Sequence, residues 1–221
     1  MRRAGAAALA LTWLAAAAPA LAHEPAIPPL GFEPPAPGTY TLHRVMAAPD
    51  GEVLGLDGRA QRLARVTHER ITVLGLIYTT CVDPDGCPRT LPVFDAIRRA
   101  AAASPRLREH VRLVTLSFDP EHDTPAAMRA YAGGRATERG RGVPWYFLTT
   151  RSSRTLAPLL EGFGQDVRTT RSLSSGSPRE LSHVLKVFLI DRDGIVREIY
   201  SSTFLHPRTV LNDIETLLKD P

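Results

Sequence analysis

The stretch Ile71-Thr72-Val73-Leu74-Gly75-Leu76-Ile77-Tyr78-Thr79-Thr80-Cys81-Val82-Asp83-Pro84-Asp85-Gly86-Cys87-Pro88 decides how this chain is read. Its first eight residues are nearly continuously apolar and rich in β-formers, which predicts a strand covered on both faces. Thr90 to Ala103 then has the pattern of a helix, with Pro88 and Pro92 near its first turn, where a missing amide donor is tolerated. The two cysteines therefore fall between a buried strand and a helix start, the junction at which α/β domains place their sites. Unpaired amides at a helix N-terminus favour the thiolate, the form that attacks disulfides and binds soft metals. Pro84 and Gly86 let the loop turn back and bring the sulfurs together. The competing reading is a structural disulfide, which would stabilise the fold by about 2 kcal/mol through closure of so small a loop.

Working outward, the pattern alternates strand and helix. Upstream, Glu52 to Val66 holds two short apolar runs around Asp57-Gly58, a hairpin signal. Downstream, Val111 to Phe118 reads as a second buried strand and Thr124 to Tyr131 as a helix opened by Pro125. A Gly/Arg-rich loop spans Gly133 to Gly142, followed by a strand at Trp145 to Leu148 and a helix from Ser153 to Gly162. Asp166 to Glu180 is polar and reads as a long excursion loop. Val184 to Ile190 and Ile195 to Tyr200 form two strands joined by Asp191-Arg192-Asp193-Gly194, and Pro207 to Lys219 closes the chain as a helix. This order predicts one α/β sandwich with a mixed sheet, the final hairpin supplying its antiparallel part. A domain of about 180 residues buries roughly 70% of its unfolded surface, so it needs no metal to fold.

The N-terminus reads differently. Arg2 and Arg3 precede an apolar stretch from Ala4 to Ala18, Pro19 breaks it, and Ala20-Leu21-Ala22 offers a small-x-small cleavage site, so residues 1–22 read as a secretory signal peptide. Membrane association is expected only if that segment stays attached. His23 to Gly38 carries six prolines in sixteen positions, an extended linker or a strap along the surface, and residues 40–221 form the domain. Export places the protein in an oxidising compartment, the periplasm of a bacterium.

Composition removes several classes of function. The 221 residues include only two cysteines, so the fold rests on a hydrophobic core rather than on disulfides. The formal charge of +4 includes Arg2 and Arg3 of the leader, and the remaining basic residues are scattered rather than set in a stripe. No nucleic-acid partner is expected.

Two thiolates need a third ligand to make a good metal site. Of the seven histidines, six lie in loops, at element ends or in the linker. His183 stands out, since it ends the polar excursion and directly precedes an apolar strand. His23, at the start of the cleaved chain, would pair a free amine with an imidazole nitrogen, a set that suits Cu(II).

Three ordered motifs now stand together. These are Cys81…Cys87-Pro88 after a buried strand, Ser117-Phe118-Asp119-Pro120-Glu121-His122-Asp123-Thr124-Pro125, and His183 followed by Val187-Phe188-Leu189-Ile190-Asp191 and Gly194. In this combination, over residues 50 to 219, the chain resembles the Sco (SenC) family of copper proteins of cytochrome oxidase assembly. The resemblance implies a thioredoxin-like α/β sandwich, with a mixed central sheet, flanking helices and an N-terminal hairpin. It also implies copper, as Cu(I) and as Cu(II), held by Cys81, Cys87 and His183, with Asp119 orienting the site from behind. Five residues separate the cysteines here, where the family's usual spacing is three.

Two functions follow. In the first, the protein is a copper metallochaperone, a binding and transfer module whose client is a cytochrome c oxidase subunit or another copper or thiol protein. Soft thiolates and an imidazole favour Cu(I), although zinc also accepts a Cys₂His set. In the second it is an exported thiol-disulfide oxidoreductase, Cys81 and Cys87 acting as attacking and resolving thiols. A peroxidase-like thiol protein on the same fold is a third, weaker reading.

Overall fold

The computed structural model of the 221-residue chain describes residues 27–137, 142–170 and 180–219. The leader, His23, four residues of the Gly/Arg-rich loop and the middle of the polar excursion lie outside the described residues.

The quoted strand forms as expected. β4 (Ile71–Ile77) is buried at every position, as is β5 (Val111–Ser117), and the two run parallel with Ile71 opposite Val111. Continuous apolar strands have no face to give to water, so the chain must cover both. β6 (Trp145–Leu148) extends the parallel part beside β5, while β9 (Val187–Ile190) lies antiparallel against β4. β10 (Ile195–Tyr200) and the short β1 (Met46–Ala47) complete a six-stranded sheet in the order β1-β10-β9-β4-β5-β6. This is the mixed sheet flanked by helices that the sequence predicts. The hairpin turn is pinned by Asp191, whose Oδ1 accepts from the amides of Asp193 at 3.0 Å and Ile195 at 2.9 Å. The N-terminal hairpin is β2 (Glu52–Leu54) paired with β3 (Ala60–Arg62), and a 3₁₀ turn at Leu63–Val66 takes the end of the predicted run.

α1 (Thr90–Ala103) follows the cysteine loop and lies on the sheet at Gly75. A Cβ on Gly75 would come within 2.9 Å of Thr90 Cγ2 and 3.2 Å of Phe94 Cζ, so glycine lets helix and strand approach closely here. α2 (Pro105–His110), absent from the expected element order, is a short helix whose cap, Ser104, takes the amide of Leu107 at 3.4 Å. α3 (Pro125–Ala132) starts at the expected proline, with Thr124 accepting from the amide of Ala127. It packs on the α1 side, where Tyr131 meets Phe147 and Phe94 meets Trp145. α4 (Ser153–Gly162) is capped by Ser152 and lies on the other face, where Phe163 just past its end packs on Phe188 of β9. α5 (Pro207–Lys219) closes the α1 side, sending Asp213 to Tyr200 of β10.

Two features depart from the expected order. The polar excursion is not all loop: its ends pair as β7 (Val167–Thr170) and β8 (Glu180–His183), an antiparallel ribbon with Val167 opposite His183. The following strand begins at Val187 rather than Val184, because residues 184–186 carry the chain from ribbon to sheet; Gln165 Nε2 holds the carbonyl of Val184 at 3.1 Å.

The described part of the proline-rich segment runs along α5. Its carbonyls accept from that helix, Pro35 from Asn212 Nδ2 and Pro37 from Lys219 Nζ, each at 2.8 Å. Prolines lack amide donors but keep their carbonyls; the amide of Gly38 supplies a donor in the other direction, to Thr216 Oγ1 of α5 at 2.9 Å.

Candidate metal centre

β4 delivers Tyr78, Thr79 and Thr80 to the top of the sheet, where the chain turns. The turn is built locally: the amide of Cys81 donates to the carbonyl of Tyr78 at 3.3 Å, and Asp83 Oδ1 accepts from the amide of Asp85 at 3.0 Å. Cys87–Arg89 then forms a 3₁₀ turn that runs into α1. Both thiols are free and buried, Cys81 at 8% exposure and Cys87 at 1%. Arg89 ties the loop to the far side of the fold, donating to Asp85 Oδ1 at 2.8 Å and to the carbonyl of Ser202 at 2.7 Å.

The third group arrives from the ribbon. His183, at the end of β8, places Nε2 3.3 Å from Cys87 Sγ. Its Nδ1 is 3.0 Å from the carbonyl oxygen of Leu181, which only accepts, so Nδ1 carries the proton and Nε2 presents its lone pair to the sulfurs. Its ring is fixed by Phe118, at a centroid distance of 4.9 Å, and by the edge contact of Tyr78 at 5.5 Å. The ligand atoms of Cys81, Cys87 and His183 all lie within 4.8 Å of one another, the group of this kind found among the described residues. Two metal–sulfur bonds of about 2.3 Å placed end to end span about 4.6 Å, so a soft metal closes this triangle with little side-chain movement.

Electrostatics divides the thiols. Cys81 is pulled down to about 5, first by the hydrogen bond it accepts from Cys87, then by the amides of Cys87 and Asp83 and the hydroxyl of Tyr78, against the cost of burial. Cys87 moves up, because it donates that hydrogen bond, is buried, and faces the negative charge on Cys81. Reduced and without metal, the site is a thiolate beside a neutral thiol. A cavity of about 230 Å³ opens beside both, lined chiefly by Tyr78, Pro88, Leu91 and Tyr131.

Asp119 was expected behind the site; its carboxylate accepts from or pairs with His122 Nδ1, at 3.0 to 3.1 Å. Asp123, in the same quoted motif, braces the strand ends that carry the site. It accepts from the Thr79 amide at 3.0 Å, from the Thr79 hydroxyl, and from Ser117 Oγ at 2.5 Å. Tyr78, Phe118 and the Leu181 carbonyl were likewise not singled out. Only the Asp-Pro-x-x-Asp run hinted at Asp123.

The profile of the family described as SCO1/SenC matches residues 64–219. No curated protein sequence gives a match. Among solved structures, the chain is similar to copper-bound ScoI of Bradyrhizobium japonicum, with 19% identity and a TM-score of 0.60, covering 76% of this chain and 98% of that one. It is similar to copper-bound ScoI of Arabidopsis thaliana, with 16% identity and a TM-score of 0.65, covering 79% and 99%. It is also similar to apo Sco1 of Thermus thermophilus, with 21% identity and a TM-score of 0.62, covering 83% and 96%. At these identities the structural likeness establishes a shared fold.

Proposed function

Because this chain belongs to the SCO1/SenC family, we propose that it binds copper through Cys81, Cys87 and His183 and hands it to a client protein in the assembly of the copper centre of cytochrome c oxidase. The observation that carries the reading is the convergence of two sulfurs and an imidazole nitrogen within 4.8 Å, with the nitrogen's lone pair turned inward. Soft thiolates and a neutral imidazole suit Cu(I) in kind and number. Copper is cargo here, so the residues must hold it and also release it. Cys81 is already a thiolate near neutral pH, and Cys87 gives up its proton to the incoming metal. Export is part of the proposal, carried by the leader-like pattern of residues 1–22; no helix of the described residues is long and apolar enough to cross a membrane.

The split between the two thiols favours a second reading, thiol-disulfide exchange on a client, with Cys81 attacking and Cys87 resolving. His183 separates the two, since a metal centre needs it and a dithiol reductant does not. Anaerobic titration of the reduced protein with buffered Cu(I) is expected to saturate at one equivalent and to protect both thiols from alkylation. His183→Ala is expected to lose that affinity and keep thiol exchange. Unchanged copper uptake by His183→Ala would overturn the ligand assignment, and no uptake by the wild type together with a readily cycled disulfide would leave the reductase.

A further inference from the structure

Five residues separate the cysteines, and they are held unevenly. Asp83 accepts the amide of Gly86 on its carbonyl at 2.9 Å and that of Asp85 on its carboxylate at 3.0 Å, and the Gly86 carbonyl takes the amide of Arg89 at 3.2 Å. These bonds give the loop a form but do not fasten its middle to the fold, and Val82 stands 81% exposed. Among the described residues, the side chain that fastens it is Arg89. Its Nη2 donates to Asp85 Oδ1 at 2.8 Å and its Nη1 to the carbonyl of Ser202 at 2.7 Å. The Arg89 side chain is 18% exposed, that of Asp85 73%. The Ser202 end is firm. The amides of Phe204 and Leu205 close a turn there on the Ser201 carbonyl, at 3.1 and 2.9 Å. Leu205 is buried in the core, and Phe204 packs on Phe32 of the proline-rich segment.

Resting on the copper reading above, we infer that Arg89 is a positioning residue: it clamps the cysteine loop in the open spacing that receives a metal, and so both tightens copper binding and opposes closure of a disulfide. Asp85 stands two residues before Cys87 and Arg89 two after it, so the bond between them fixes the backbone that carries the sulfur. Both cysteines are free in the clamped loop. A disulfide needs its sulfurs about 2.05 Å apart. Two thiolates sharing one metal at about 2.3 Å each stand wider, roughly 4 Å apart. An unclamped loop containing Gly86 must be ordered when the metal arrives, and that entropy is lost from the affinity. An exposed ion pair alone does little. A planar guanidinium holding two oxygens at once fixes direction as well as distance, and one of its two partners here belongs to the body of the fold.

The test compares Arg89→Gln, Asp85→Ala and the double variant with the wild type. Arg89→Gln removes a positive charge and Asp85→Ala a negative one, so any effect of charge through space has opposite signs in the two. Loss of the clamp acts the same way in both. Cu(I) affinity is read anaerobically by competition with bicinchoninate, the thiol–disulfide equilibrium in metal-free glutathione buffers, and the fold by the melting temperature of the metal-free protein. Each single variant is expected to bind Cu(I) about fivefold more weakly. Each is also expected to favour the disulfide about fivefold, a midpoint about 20 mV lower. The double variant should fall no further than Arg89→Gln, because the two residues act as one unit. Opposite effects in the two single variants, wild-type affinity in Asp85→Ala, an unmoved disulfide equilibrium, or additive losses would each overturn the clamp and leave the copper reading standing. If Arg89→Gln fails to fold, Asp85→Ala, changed at an exposed side chain, decides alone. Wild-type protein that takes up no Cu(I) would overturn the copper reading, and the metal-free disulfide equilibrium would then decide the clamp.

Discussion

One bond decides which nitrogen of His183 faces the sulfurs: with Nδ1 bound to the Leu181 carbonyl at 3.0 Å, Nε2 is the nitrogen that offers a lone pair inward. The cysteines differ as sharply. A free cysteine titrates near about 8.5, but Cys81 is lowered to about 5 by donors converging on its sulfur. Alkylation of the reduced protein with iodoacetamide is therefore expected to modify Cys81 first and at full rate at pH 7, falling away only as the pH drops toward 5, with Cys87 reacting slowly throughout. Peptide mapping after partial labelling checks this, and preferential labelling of Cys87 would reverse the assignment. Asp123 carries the second prediction at this scale. It is 1% exposed and accepts three hydrogen bonds from Thr79 and Ser117. Asp123→Asn loses the charge that strengthens all three and turns a donor toward them, and is expected to cost about 2 kcal/mol in urea unfolding.

At the scale of elements, the position of α1 over β4 matters most, because α1 carries Cys87 at its entry. Gly75 sets that spacing, and a Cβ there would press on Thr90 and Phe94. Gly75→Ala is expected to lower stability by about 1–3 kcal/mol through overpacking and to weaken metal uptake, since the displaced helix start takes the sulfur with it. A variant as stable as the wild type would mean that α1 yields freely. Far from the site, Tyr40 just past the proline-rich segment, β10 and α5 meet at Asp213, which accepts from Tyr40 at 2.5 Å and from Tyr200 at 2.6 Å. Burial, then the bond to Asp213, raises Tyr40 from 10.0 to about 12, and burial beside the same carboxylate raises Tyr200 as well. The folded state thus keeps these protons where the unfolded chain loses them. Their contribution is complete below the unfolded value and is lost as pH rises through the folded one. Unfolding free energy is expected to decline from about pH 10 upward, and Tyr40→Phe should flatten the first part of that decline.

Across the whole molecule, the proposed ligands come from two places in the chain, the β4–α1 junction and the end of a ribbon 96 residues later. Metal binding therefore ties the ribbon to the sheet, and a ligand that binds only the folded state stabilises it by about 4 kcal/mol at a thousandfold excess over its dissociation constant. Buffered Cu(I) is expected to raise the melting temperature of the wild type and to leave that of His183→Ala nearly unchanged. The same linkage acts on redox state. Oxidation to a disulfide removes two anionic ligands and leaves His183 alone, so copper, by stabilising the dithiol, should raise the midpoint potential of the cysteine pair. A midpoint unmoved by saturating copper would separate the thiols from the metal.

Short-range patterns were legible in the residues themselves. The unbroken apolar run of β4 requires cover on both faces, proline and glycine mark the loop after it, and Asp191 with Gly194 marks the last turn. Each of these is settled by sterics and burial within a few residues, so the mixed sheet and the two cysteines at a strand-to-helix junction could be read directly. The family resemblance added His183 to them. The tertiary structure alone decided that the polar excursion folds back as β7 and β8, which aims the His183 ring. It also decided that Asp123 braces the strand ends at Thr79 and Ser117, and that a cavity opens beside the two sulfurs. These depend on side chains far apart in the chain meeting across a closed sheet, where strand order and packing, not local propensity, set which atoms come within reach.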